Sequence, residues 1–305
     1  RRVSAKIGIE YMVVNCMSDF NEKVTRPFVC DYVGGVTPNP CIECNRYVKW
    51  AKMLEIADNL GAAYIATGHY ATIAKLDNGR FTVKKADYAA KDQTYMLYRL
   101  TQEQLSRTLM PLGKLSKEEV REIARKAQLP VAQKADSQEI CFVTEGNYAD
   151  YIEENYDGDI PGEGNFVDTK GNILGRHKGI IHYTVGQRKG LGVAFGKPMY
   201  VKEIRADRNE VVLSDNETLF SKTLKVNRVN YVSIKPLLPG EEITCNVKVR
   251  YHHKEQKAVV RCLGEEMCEI IFEEPVRAIA PGQSAVFYDE NEFVVGGGII
   301  CTHDL

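Results

Sequence analysis

The spacing of hydrophobic positions changes character twice along this chain. Up to about residue 145, helical and strand-like patterns alternate. "IGIEYMVVN" predicts a short apolar strand, and "RYVKWAKMLEIADNLG" carries Val48, Met53, Leu54, Ala57 and Leu60 at helical spacing before a stop at Gly61. "AAYIATGHYA" predicts a buried strand ending in Thr67, Gly68 and His69. "SKEEVREIARKAQLP" opens on Ser116 with Glu119 three residues on, a capping box, and stops before Pro130. Such alternation predicts a parallel sheet covered by helices. After "CFV" the chain turns rich in Gly and Asp, with short strands and turns. From about Val211 it alternates polar and apolar residues between turn signals, as in a small β-barrel or sandwich. Three units follow: an α/β domain over 1–145, a small central domain over 146–210 and a β-barrel over 211–305.

Composition changes this picture little. The 305 residues are 44% hydrophobic and 27% charged, in the range of ordinary globular proteins. A net charge of −1 argues against a strongly basic nucleic-acid binder in bulk, although a local basic face suffices to hold phosphates. No apolar run approaches the roughly eighteen residues of a spanning helix. The opening "RRVSAKIGIEY" reads as the interior of a helix running into a strand, not as a targeting segment, and predicts further chain upstream. Nine cysteines without a secretory signal predict a reducing cytoplasm and free thiols. Cys16, at a predicted strand end, and Cys245, Cys262 and Cys268 among strand-like residues read as small buried hydrophobes.

Cys41, Cys44 and Cys141 have less ordinary neighbours. In "VTPNPCIECNRYVKW" a rigid Pro-Asn-Pro approach leads into a CxxC pair at the start of a helix. A structural zinc site needs four ligands, and no second CxxC or HxxxH accompanies this pair. For Cys41, filler is the better reading. A thiol at a helix N-terminus is expected to lose pKa, with Arg46 and Lys49 adding positive charge, so Cys44 reads as a reactive thiolate. Cys141 follows "KADSQEI" where the α/β pattern ends, and a buried strand cysteine is the alternative there. Gly68 permits close backbone approach at a strand end, where open α/β sheets bind ligands. His69 alone reads as core, and Asp92 in "KDQTYML" as an N-cap. "TVGQRKGLGV" and "VKVRYHHK" set basic residues among glycines and aromatics, a pattern suited to nucleic acid or to a solvated face.

Taken in order, "TPNPCIECN", "ATGHYA", "KDQTYML", "KADSQEICF", "HYTVGQRKGLG", "PGQSAVFY" and "GGGII" resemble the motifs of the tRNA-specific 2-thiouridylase family over nearly the whole chain. The resemblance implies an ATP-pyrophosphatase α/β domain (adenine nucleotide alpha hydrolase-like), a small tRNA-contacting central domain and a C-terminal β-barrel. It implies ATP with Mg2+, a wobble-uridine tRNA substrate, and a persulfide donor such as a cysteine desulfurase or sulfur-relay protein. Cys44 matches the nucleophile and Cys141 the persulfide carrier, and the two end in a transient disulfide. Cys41 stands where some members have aspartate. Asn39, Pro40 and Cys41 would face the target base, and Gly68 the ATP. His69, Lys91, Asp92, Gln93, Arg250, Tyr251 and Gln283 would touch tRNA, and no metal site is implied. The family's pyrophosphatase loop, SGGxDS, does not occur in this sequence, so the resemblance also predicts impaired ATP binding by this chain. A zinc- or RNA-binding module without sulfur transfer, and a different adenylating enzyme, are the competing readings.

Overall fold

A computed structural model describes residues 1–132, 140–144, 146–193 and 196–302. Its elements follow the three textures of the sequence. In the first unit, strands β1 (Ile65–Ala66), β2 (Ala71–Lys75), β3 (Phe81–Lys85) and β4 (Thr108–Leu109) are set among helices. β1 and β4 pair in parallel, Ile65 opposite Thr108, while β2 and β3 form a hairpin. The capping box at Ser116 forms as expected, with Glu119 N–H donating to Ser116 Oγ at 3.2 Å. The expected strand over "IGIEYMVVN" does not form. Its start belongs to the helix Arg2–Ile7, and residues 9–15 are irregular and exposed. A strand needs a hydrogen-bonded neighbour, and among the described residues none pairs with this run.

One continuous helix spans 40–59. Asn39 caps it by accepting the Cys41 N–H on Oδ1 at 3.2 Å, and Pro40 at the first turn needs no N–H partner. It widens to π-winding over Cys44–Trp50 and closes as Ala51–Asn59, with Gly61 at φ +68° just beyond. A second helical run, 17–33, also contains a π-segment, Asn21–Thr25.

In the central unit, strands β5 (Gly164–Val167), β6 (Ile173–His177), β7 (Tyr200–Arg205) and β8 (Glu210–Ser214) form one sheet in the order β6-β5-β8-β7. The sheet runs to Ser214, so a border at 210 falls a few residues early. Phe28, Val29 and Tyr32 of helix 17–33 pack into its core beside Phe166, Ile180 and Val211.

The last unit is a closed six-stranded barrel of β9 (Phe220–Tyr231), β10 (Glu242–Lys248), β11 (Gln256–Gly264), β12 (Met267–Arg277), β13 (Ser284–Tyr288) and β14 (Val294–Ile300). Its order, β10-β11-β12-β9-β14-β13, leaves no open edge. The β12–β9 register slips between Ile271 and Val276, where Pro275 has no N–H to offer the ladder. Cys245, Cys262 and Cys268 are buried in the barrel interior, as small hydrophobes should be. Cys16 is half-buried, but beside a helix and not in a strand.

The barrel is not a separate bead. Val286, Tyr288 and Val294 on its outer face share one apolar cluster with Trp50, Tyr95 and Tyr98. Gly297 makes this possible: a Cβ there would lie 2.6 Å from Tyr98 Cδ2. The "GGG" run thus lets an aromatic ring lie directly on a barrel strand.

Candidate active site

The cysteine helix is positioned from two sides. From the barrel, Gln283 Nε2 donates to the carbonyls of Thr37 (2.9 Å) and Pro38 (3.3 Å), and Thr37 N–H donates to Pro281 O at 3.0 Å. Gly282 at φ +86° completes this clamp, since a Cβ there would meet Val36 Cγ1 at 2.3 Å. From the first domain, Arg99 pairs with Glu43 and Asn45 Nδ2 donates to Met96 O at 3.0 Å. Gln283 therefore uses its amide to hold the approach to the cysteines.

Cys44 and Cys141, distant in sequence, meet through their neighbours. Cys44 lies in an apolar cluster with Val24 and Val48, against which Cys16, Phe20 and Phe142 pack. Phe142 also meets Phe28 edge-on at 5.2 Å and Tyr151 at 5.1 Å, which anchors the turn carrying Cys141. Cys141 is exposed in that turn, not buried in a strand, while Cys44 is only 8% exposed. Both are free thiols. Of the "KADSQEICF" motif, residues 134–139 lie outside the described residues.

The expected low pKa at Cys44 is not found. Burial pushes this thiol up to about 11, Lys49 opposes the rise, and Cys141, Cys41 and Cys16 add to it. Cys41 is raised for the same leading reason. The helix begins at Pro40, so Cys44 sits in its second turn, beyond the orphan N–H groups of the first. Desolvation of the charged form then outweighs both dipole and ammonium.

A row of residues leads from this helix to the barrel. Trp50 donates its indole N–H to Thr108 Oγ1 at 2.8 Å and meets the His69 ring at 5.1 Å with the planes tilted by 44°, and His69 Nδ1 lies 3.0 Å from Thr67 Oγ1. Gln93 Oε1 accepts the Tyr70 N–H at 2.9 Å. Asp92 is no helix cap: its carboxylate accepts from Thr94 Oγ1 (2.7 Å) and from the Ala86 N–H (3.1 Å), and burial raises its pKa. Tyr251 Oη closes the row by donating to Asp92 O at 3.0 Å, and Lys91 precedes Asp92 in the turn Ala89–Lys91. Arg250 stands apart, its Nη2 on Val185 O at 2.7 Å, and its Nε is buried without a partner among the described residues. It reaches a groove of about 530 Å3 that Lys178, His182 and Gln187 also line.

Burial, then Lys49, lowers the His69 pKa to about 4. The imidazole is neutral in the fold, so the unfolded chain gains the proton first. The associated stability is fully present above the ordinary value near 6.5 and is lost as pH falls from 6.5 toward 4. The NMR resonances of His69 should accordingly stay fixed between pH 7.5 and about 5.5. A midpoint near 6.5 would contradict its burial.

Comparison with known proteins fits this architecture. Three family descriptions match in order: "tRNA methyl transferase HUP domain" over residues 1–145, "tRNA methyl transferase PRC-barrel domain" over 150–215 and "Aminomethyltransferase beta-barrel domain" over 221–300. A tRNA-specific 2-thiouridylase MnmA of Lachnoclostridium phytofermentans is 54% identical over 300 residues, 98% of this chain and 83% of that protein. Those of Acetivibrio thermocellus and Clostridioides difficile are 52% and 50% identical over 301 residues, covering 98% of this chain and 83% and 82% of theirs. The chain belongs to the tRNA-specific 2-thiouridylase family. Its α/β unit is accordingly a HUP domain, its central unit a PRC-barrel domain and its last unit the β-barrel domain.

In this 2-thiouridylase fold the sequence patterns overlooked Arg99, Glu43 and Asn45, which hold the cysteine helix. Arg99 is 5% exposed and Asn45 2%, yet Asn45 stands in a polar run that reads as surface and Arg99 is a lone charge in the apolar run 95–100. Glu43 does adjoin Cys44, the one local hint. At Gly68, just beyond β1, a Cβ would meet nothing nearer than Leu112 Cδ1 at 3.7 Å. The described residues provide no glycine-rich anion cradle at that edge. No helix of the described residues is long and apolar enough to cross a membrane.

Proposed function

We propose that this chain transfers persulfide sulfur to C2 of the wobble uridine of tRNA in an ATP-dependent reaction. The observation that supports this best is the packing of Phe142, next in sequence to the exposed Cys141, against the apolar cluster that holds the buried Cys44. A sulfur carrier must reach a donor protein, so exposure suits Cys141. A resolving nucleophile must be kept from stray oxidants, so burial suits Cys44. The family descriptions speak of methyl transfer. The paired thiols favour sulfur instead.

ATP, with Mg2+, would supply the activation of the uridine C2 oxygen as a leaving group, and Gly68 would be its contact on the strand end. The chain's own residues do the rest. The terminal sulfur of a Cys141 persulfide bonds to C2 as AMP departs. The Cys44 thiolate then attacks Cys141 Sγ and breaks its bond to the transferred sulfur. That sulfur stays on C2 as the thiocarbonyl, a Cys44–Cys141 disulfide forms, and a thiol reductant resets the pair. The disulfide requires the two Cα atoms to come within about 7 Å, so movement of the exposed turn at 140–144 is expected to accompany that step. Asn39, Pro40 and Cys41 would border the base, and Lys91, Asp92, Gln93, His69, Tyr251 and Arg250 would receive tRNA. Gln283 would act through the 37–38 carbonyls it holds. Cysteine desulfurase or a relay protein is the sulfur source in this reading, and the cytoplasm its setting.

The test is to incubate the chain with a cysteine desulfurase and labelled cysteine and to locate persulfides by alkylation and mass spectrometry, with metal measured in the same sample. Label concentrated on Cys141 is the expected result. Label nowhere, with stoichiometric zinc, would leave an RNA-binding module without sulfur transfer.

A further inference from the structure

Cys44 presents a chemical difficulty. A resolving attack needs a thiolate, yet this thiol is surrounded by Val24, Val48, Phe20 and Phe142. Helix dipole does not supply the missing charge, as Cys44 lies past the first turn. The cations of the neighbouring helices are mostly engaged elsewhere. Lys52 pairs with Asp19 (3.2 Å) and Glu55 (2.9 Å), Lys23 pairs with Glu22, and Arg46 lies over the Tyr47 ring at 5.0 Å.

Lys49 is placed differently. Its Nζ donates to Asn45 Oδ1 at 3.0 Å, and Asn45 is itself buried and tied to Met96 O. Asn45 is therefore a fixed bracket directly beside Cys44. The winding of the helix completes the arrangement. In an α-helix, five residues turn the chain by about 500°, which would carry residue 49 about 140° away from residue 44. Cys44–Trp50 is π-wound, and i→i+5 bonding brings residue 49 back over residue 44. We propose that Lys49 is the counter-ion of the Cys44 thiolate, set over it by the π-turn and held there by Asn45. It is a positioning residue, acting through the sulfur and not on tRNA. The same ammonium also acts on the charge of Cys41 and of His69. The titratable groups facing Cys44 are Lys49 and Cys41 on its own helix, Cys141 on the 140–144 turn and Cys16 ahead of helix 17–33. Lys49 is the one cation in that set. The π-turn gains a purpose from this: a regular helix would leave the buried thiol facing other thiols without a cation.

This inference rests on Cys44 being the resolving thiolate, but its test needs neither tRNA nor sulfur. The rate of iodoacetamide alkylation of Cys44, located by tandem mass spectrometry, is measured against pH. In Lys49→Met the midpoint should rise by about one pH unit, making alkylation about tenfold slower below both midpoints. Lys49→Arg should stay within about threefold of wild type. The high-pH plateau reports access to the buried sulfur and should be unchanged in both. Because Lys49 is exposed, 1 M salt should raise the wild-type midpoint too, a measurement that needs no variant. A midpoint insensitive to both Lys49→Met and salt would overturn the assignment. If the midpoint moves while Cys141 takes up no sulfur, the counter-ion stands and the transfer reaction falls.

Discussion

Replacing Cys44 by alanine should leave sulfur loading of Cys141 intact and lower formation of free 2-thiouridine by about 10³-fold or more. Alanine is the informative choice. Serine would place a hydroxyl among Val24, Val48 and Phe142, where an unpartnered polar group costs about 1–3 kcal/mol. The loss should take a particular form. With Cys44 absent, the transferred sulfur remains bonded to both Cys141 and the uridine C2. Protein and tRNA should therefore accumulate as a covalent adduct when no thiol is added, and dithiothreitol should release 2-thiouridine from it. Gel electrophoresis with and without reductant reads both outcomes. Free product at the wild-type rate without reductant would remove Cys44 from the mechanism. Adduct on Cys41 instead of Cys141 would reassign the carrier.

The role of burial in this prediction marks where sequence reading stops. The CxxC pair, the rigid TPNP approach and the switch from helical to alternating pattern are local features, so they were legible along the chain. The barrel followed from its period-two runs and turn residues, and Pro275 at the β12 register slip is consistent with them. The ionisation of Cys44 was not legible. It depends on Phe20, Val24 and Phe142 arriving from two other segments, and no window around residue 44 contains them. The dipole argument placed the helix start at the cysteines, whereas Asn39 caps it five residues before Cys44. The same limit explains Asp92, which looks like an N-cap beside Thr94 but is buried beneath Tyr251, from the far end of the chain. The "IGIEYMVVN" run shows the converse. Its residues suit a strand, but strand formation requires a partner, and sequence preference alone does not provide one.

The largest stability effect outside the core should come from Arg99. Its side chain is 6% exposed, and its guanidinium pairs with Glu43, lies 3.4 Å from Tyr47 Oη and sits over the Tyr47 ring at 5.7 Å. Both partners line a cavity of about 560 Å3 between the cysteine helix, helix 17–33 and the barrel. Arg99→Met fills much of the same volume but leaves the Glu43 carboxylate without its counter-charge. Breaking a buried pair in this way costs about 3–5 kcal/mol, and Glu43, with its side chain 24% exposed, recovers part of that from water. A loss of about 2–3 kcal/mol is therefore expected, measured by denaturant or thermal unfolding of the α/β unit. The double variant Glu43→Gln, Arg99→Met removes both charges and should regain most of it, because the pair's own attraction barely exceeds its desolvation cost. Equal instability of single and double variants would mean that Arg99 acts through packing against Tyr47, with the ion pair incidental. The distinction matters for the reaction. Glu43 adjoins Cys44, so an unpaired carboxylate at that point in the helix would oppose the thiolate that Lys49 is placed to favour.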